Sequence, residues 1–233
     1  HLALAKSFQK VASHFDKSRI LGLTATPRAS KQRSLMEFFD VLVEPRTLKD
    51  LIEQKYLAPL VIKNIPINIQ VNNSTKGGDF TEEDCAYAIQ PYLAELAKAV
   101  KEHGAGRCSL IYLPLISISK EFTELLNGLG VKAAHVDGEM TEKQQAKIQL
   151  DLEKGDIECV CCSMLWTVGI NVRPVNMICN LRLTSSWTLF VQICGRGTRT
   201  YDPAKHGVKG TKWGLKHECV LLDPLWNCEN HSL

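Results

Sequence analysis

QICGRGTR, Gln192 to Arg199, closes an apolar run that begins at Ser186 and places Leu189, Phe190 and Ile193 at helical spacing. A helix over this run would bury that apolar side and carry Gln192, Arg196 and Arg199 at its far end. Gly195 and Gly197 would let the backbone come close to a ligand. Arg196 and Arg199 would then project together. Two rigid, permanently charged guanidinium forks suit the oxygens of a polyphosphate, above all the charge that develops as a γ-phosphoryl group leaves. A surface Gly-Arg turn is the competing reading, and the neighbouring stretches decide between them.

Upstream stand LGLTATP, Leu21 to Pro27, SLIYL, Ser109 to Leu113, and SMLWTVGINVRPV, Ser163 to Val175. With QICGRGTR they resemble, in order, the third, fourth, fifth and sixth motifs of the superfamily 2 DEAD/DEAH-box-like helicases. The sixth motif reads Gln, two residues, Gly, Arg, two residues, Arg, and Gln192, Gly195, Arg196 and Arg199 fill all four fixed places. The resemblance covers nearly the whole chain. It implies an α/β fold: a parallel-sheet, RecA-like (P-loop NTPase-like) second lobe preceded by the tail of a first. It also implies ATP and magnesium as cofactors, nucleic acid as partner, and ATP-driven helicase or translocase activity in the intact protein.

Roles follow from the same resemblance. Arg199 and Arg196 would be the catalytic arginines, with Gln192 orienting the site. Gly169 and Asn171, together with the arginines, would lie against the nucleotide. Ser163 would contact the nucleic-acid backbone, a contact any hydroxyl can make. Thr24 and Thr26 would couple the nucleotide and nucleic-acid sites, although such residues at a strand end also cap helices. His1 stands where a DEAH-type motif would end. Asn171 is a departure, since the family has aspartate there; the amide accepts a hydrogen bond but carries no charge. Arg182, Thr184 and Ser186 resemble the Arg-x-Thr-x-Ser run of restriction-type and phage-type members, with Leu183 in place of the usual proline. This favours DNA over RNA.

No GxxxxGK[ST] loop and no acidic DExx pair occurs in the chain. The phosphate cradle and the magnesium ligands are therefore expected in a first-lobe segment outside it, and the chain alone is expected to hydrolyse nothing. The other reading is a split or decayed helicase fragment that binds nucleic acid or a partner without catalysis.

Composition excludes some classes. With 45% hydrophobic and 23% charged residues, the chain has the balance of a folded protein rather than a disordered one. It has no apolar run of about eighteen residues and opens without a basic-then-apolar signal, so a cytoplasmic protein with no membrane partner is expected. A net charge of +3 permits nucleic-acid binding without arguing for it. Among the nine cysteines, Cys159, Cys161 and Cys162 cluster in an apolar run, which points to reduced, buried thiols. His217, Cys219, Cys228 and His231 contain a Cys-x-x-His pair but no familiar zinc spacing, and no metal site is expected.

Periodicity supplies the organisation. A helix presenting Leu4, Phe8, Val11 and Phe15 and a buried strand over Arg19 to Leu23 would belong to the tail of the first lobe, residues 1–60. Residues 61–83 would be the linker, with the polar, glycine-bearing stretch from Val71 to Gly78 at its heart. Residues 84–233 would be the second lobe. Thr81 caps its first helix, and SLIYL, VKAAHV, IECVCC, VNMICNL and CVLLD are its strands. Thr141 with Gln144 forms a capping box for a helix that Gly155 ends. Such alternation of strand and helix means a parallel sheet covered on both faces.

Overall fold

Runs such as SLIYL, CVCC and CVLL have no polar face, and strands of that kind are stable only where both sides of the sheet are covered. The computed structural model, which describes residues 5–15, 17–24, 35–43, 46–72, 79–163 and 170–231, shows that arrangement. The strands are β1 (Leu60–Lys63), β2 (Ser109–Leu113), β3 (Ala133–Val136), β4 (Cys159–Ser163), β5 (Met177–Asn180) and β6 (Cys219–Leu222). They form one sheet in the order β1-β6-β5-β2-β4-β3, every pairing parallel. The fold is α/β and RecA-like.

Alternation along each strand sends successive residues to opposite sides. Ile111, Leu113, Cys159, Cys161, Met177 and Cys179 point to one side, where α3 (Glu82–Ile89), α4 (Leu93–Gly104) and α5 (Ile116–Gly128) bury Ile89, Leu93, Leu96, Val100 and Phe122. Leu110, Tyr112, Val160, Cys162, Ile178 and Leu221 point to the other, against Leu152 of α6 (Glu142–Lys154) and Phe190 and Ile193 of α7 (Trp187–Gly197). All nine cysteines are buried.

The sequence signals for helix ends correspond to real caps. Thr81 accepts from the Asp84 amide while the Asp84 carboxylate accepts from the Thr81 amide. Thr141 and Gln144 do the same for α6, and Gly155 closes that helix at φ 81°, a left-handed conformation that favours glycine. Ser186 caps α7 by accepting from the Leu189 amide at 3.3 Å.

Chain compactness divides the protein into His1–Thr47 and Leu48–Leu233, the latter opening with α2 (Leu48–Glu53). Leu60–Lys63, at the expected start of the linker, is instead an edge strand paired with β6, and Ile65, Ile67 and Ile69 behind it are buried in the core beside α3 and α4. The alternation of PINIQ is thus the signature of chain laid over the core of the larger unit. Residues 73–78, the centre of the expected linker, lie outside the described residues.

The smaller unit holds α1 (Lys6–Ser13) and a short 3-10 turn, Leu35–Glu37. Here one expectation fails: Arg19 to Leu23 is not a strand, and Leu21 and Leu23 are 84% and 89% exposed. A strand needs a partner to hydrogen-bond, and the described residues of this unit provide none. For the same lack of cover, Phe8 and Val11 of α1 and Phe15 just beyond its end are all more than half exposed.

Candidate functional site

The order of the sheet fixes where a site can form. From β4 the chain crosses over β2 to reach β5, so the loop after β4 and the helix after β5 meet at the carboxyl ends of the central strands. Open parallel sheets hold ligands at such a reversal of strand order.

Two arginines converge there. Arg196 donates from Nη1 to the Ile170 carbonyl at 2.6 Å, and Arg199 donates from Nη1 to the same carbonyl at 2.9 Å. Arg199 also reaches Asn171 Oδ1 at 2.9 Å. The joint projection expected of QICGRGTR is therefore present, fastened to the loop that carries Asn171. A second clamp holds the end of the motif: the Ala58 amide donates to the Thr198 carbonyl at 2.6 Å, and Leu57 bridges Arg199 in antiparallel fashion. An open cleft of ≈ 520 Å³ results, lined by Tyr56, Leu57, Ile170, Asn171, Arg173, Arg196, Arg199 and Thr200. Burial, and after it the charges of Arg196 and Arg173, lowers the pKa of the Arg199 guanidinium.

The remaining expected residues divide. Gln192 is half-buried on α7, and its side chain makes no hydrogen bond among the described residues. Ser163 ends β4 beside Leu113 of β2, with its hydroxyl on the Pro114 carbonyl at 3.2 Å. Thr24 is exposed in the smaller unit. His1, Thr26 and Gly169 lie outside the described residues.

The two glycines of the motif serve different ends. A Cβ on Gly195 would meet nothing within 4 Å, which leaves that turn of helix open to a ligand. A Cβ on Gly197 would stand 2.2 Å from Cys219 Sγ and 2.9 Å from Ile178 Cδ1. Gly197 therefore seats α7 on the sheet rather than a ligand on α7, which corrects the expectation that both admit one.

The Arg-x-Thr-x-Ser run is occupied by the fold. Arg182 pairs with Glu82 at 2.9 Å. Thr184 donates its hydroxyl to Asp79 at 2.7 Å, and the Ser185 amide donates to the same carboxylate at 2.6 Å. His231 bonds the Thr184 carbonyl through Nε2 and stacks on Phe190. Asp79 and Glu82 thus anchor the entry of α7 to the start of α3.

Asp79 gives this anchor a pH dependence. Burial acts to raise its pKa, yet the hydrogen bonds from Ser185, Thr184 and Phe80 together hold it below the usual 3.8. A carboxylate with a depressed folded pKa contributes stability above its unfolded value and loses it as pH falls through the folded one. Asp79→Asn should therefore melt at a lower temperature than the wild type at neutral pH, and the gap should close on acidification below 3.8. A gap unchanged by pH in thermal melts would show that charge at Asp79 is irrelevant.

Sequence reasoning missed two residues here. Tyr112, on β2, is 1% exposed beneath α7. Burial, foremost, raises its phenol pKa, while Arg196 and Arg199 act against that shift. Arg173 lines the cleft two residues beyond Asn171. A tyrosine within an apolar strand and one arginine within a loop carry no periodic signal.

Residues 91–201 match the helicase conserved C-terminal domain. A 51.5 kDa protein of a Lactococcus phage (isolate 7-9) is 26% identical over 235 residues, covering 100% of this chain and 49% of that protein. A Schizosaccharomyces pombe protein named as a mitochondrial ATP-dependent helicase, irc3, is 23% identical over 232 residues, covering 96% of this chain and 36% of its own length. Among solved structures, a fragment assigned as the HsdR subunit of a type I restriction enzyme from Vibrio vulnificus YJ016 superposes with a TM-score of 0.77. It is 18% identical, over 97% of this chain and 44% of that one. The chain thus spans about half the length, or less, of the relatives it matches.

Proposed function

We propose, for a chain whose residues 91–201 form the C-terminal lobe of a superfamily 2 helicase, that it is the arginine-bearing half of an ATP-driven motor on nucleic acid. The observation that carries this reading is the convergence of Arg196 and Arg199 on one carbonyl of the loop bearing Asn171. Charge that appears on a leaving γ-phosphoryl group is stabilised by guanidinium groups already held in place, because little reorganisation is then needed at the moment of reaction. Arg199 is read as the residue that meets those oxygens, Arg196 as a second contact to them, and Gln192 as the group that orients the site. The open flank at Gly195 is the side from which phosphate would approach.

ATP would be held mainly by the partner lobe, which would also supply the magnesium ligands and the phosphate-cradling loop. Ser163, at the end of β4, is read as a contact to the nucleic-acid backbone, and Thr24 and Thr26 as the link between the two sites. The preference for DNA over RNA rests only on the Arg-x-Thr-x-Ser resemblance, whose members bond within the protein; single strands of both kinds belong in the test.

The test has two parts. The intact protein should show ATPase stimulated by single-stranded nucleic acid, whereas this chain alone should show none. The chain alone should bind single strands weakly, with affinity falling steeply as salt rises, because phosphate contacts release counterions. Saturable turnover by the chain alone would refute the division of labour. Binding unaffected by salt would refute the backbone contacts, and an intact protein that binds nucleic acid without turnover would favour the non-catalytic alternative.

A further inference from the structure

Arg173 stands on rigid backbone. Val172, Pro174 and Val175 around it are buried, so the loop leaving Asn171 is fixed at three of its next four positions. Its own side chain is half-buried, lines the cleft with Arg196 and Arg199, and makes no hydrogen bond or ion pair among the described residues. It also lines a smaller adjoining cavity of ≈ 150 Å³ with Glu153, Asn171, Tyr201 and His206. Three guanidinium groups therefore face one cleft whose lining holds no carboxylate among the described residues, the Glu153 carboxylate standing on the adjoining cavity without an ion pair to Arg173.

Like charges that share a cleft repel one another, and after burial, the larger cause, the charges of Arg196 and Arg173 add to the lowering of the Arg199 pKa. Asn171 sharpens the imbalance. Its amide oxygen accepts from Arg199 and so orients the guanidinium, but an amide neutralises nothing, whereas a carboxylate at the same place would form an ion pair. The cleft is thus both arranged and left electropositive. Its volume of ≈ 520 Å³ falls in the range of small-ligand pockets, about 300–1,000 Å³.

We propose that Arg173 completes a three-arginine anion site with Arg196 and Arg199, and that this site binds a polyphosphate chain by itself. The proposal rests on the reading of Arg196 and Arg199 as phosphate-facing residues, and it adds a third contact and binding that needs no partner lobe. Arg173 would grip a phosphate from the loop side while the other two grip from the helix side. Asn171 would keep the set charged.

The test is a calorimetric titration of the 233-residue chain with sodium tripolyphosphate at constant, low salt. Saturable binding of one tripolyphosphate per chain is expected. Arg173→Ala should weaken it by about tenfold, the scale of one charge-assisted contact. Asn171→Asp, nearly isosteric and therefore a safeguard should the alanine variant fail to fold, should weaken it as well, because the new carboxylate would pair with Arg199. Lys98→Ala is the control: Lys98 is exposed on α4, which covers the opposite side of the sheet, and its loss should change nothing.

No binding by the wild type would overturn the proposal, as would wild-type affinity in Arg173→Ala. Equal weakening by Lys98→Ala would also overturn it, since that marks diffuse attraction to a basic surface. Failure of the motor reading is distinguishable. An intact protein without stimulated ATPase, whose chain still binds tripolyphosphate in this pattern, loses the motor and keeps the three-arginine site.

Discussion

Arg199→Lys in the intact protein should lower nucleic-acid-stimulated ATP turnover by on the order of a thousandfold, while nucleotide binding changes little. Lysine keeps the positive charge, so a purely electrostatic role would survive the change. What it loses is the planar fork. In this structure a single Nη1 of Arg199 already satisfies both the Ile170 carbonyl and Asn171 Oδ1, which leaves the rest of the guanidinium free to face the cleft. An ammonium on a flexible stem cannot hold that loop and present donors to a leaving phosphoryl group in one fixed geometry. Binding should be spared because the phosphate cradle is expected in the other lobe. Steady-state turnover and a nucleotide-binding titration, run on the same preparations, separate the two effects. Near-normal turnover would remove Arg199 from the reaction and with it the catalytic reading of QICGRGTR.

How far the fold could be read in advance follows from which interactions are local. Caps are local: Thr81 with Asp84, and Thr141 with Gln144, lie three residues apart and act as their spacing implies. Unbroken apolar strands are nearly local, because runs such as SLIYL and CVLL leave no face for water and so announce a covered sheet. The errors came from non-local facts. LVIK looks the same whether it ends one lobe or begins the edge of another, and only its pairing with β6 decides. LGL has the residues of a strand, yet without pairing neighbours among the described residues of its own unit it stays exposed. At the site, the motif revealed Arg196 and Arg199 because their spacing is recurrent. Arg173 and Tyr112 reach the same place only through the crossing of the chain over β2, and no spacing encodes that.

Gly197 offers the corresponding test of packing. Gly197→Ala should destabilise the chain by about 1–3 kcal/mol, the usual cost of forcing a methyl group into a filled core. For a chain of this size that corresponds to a fall of roughly 2–12 °C in melting temperature. The clash is with Cys219 Sγ at 2.2 Å and Ile178 Cδ1 at 2.9 Å, side-chain atoms of the adjacent strands β6 and β5 on which α7 rests, and neither strand can retreat without disturbing its parallel neighbours. Gly195→Ala should do the reverse. Its Cβ would meet nothing within 4 Å, and alanine restricts the unfolded chain, so stability should hold or rise by about 0.4–1 kcal/mol. The two glycines, two residues apart on one helix, should thus differ in sign. Cys219→Ala removes the sulfur that Gly197→Ala would strike, leaving the Cys219 Cβ at 3.3 Å, so the double variant should recover part of the loss. Strict additivity of the two single changes in thermal melts would show that the cost of Gly197→Ala arises elsewhere than at the contact between α7 and β6.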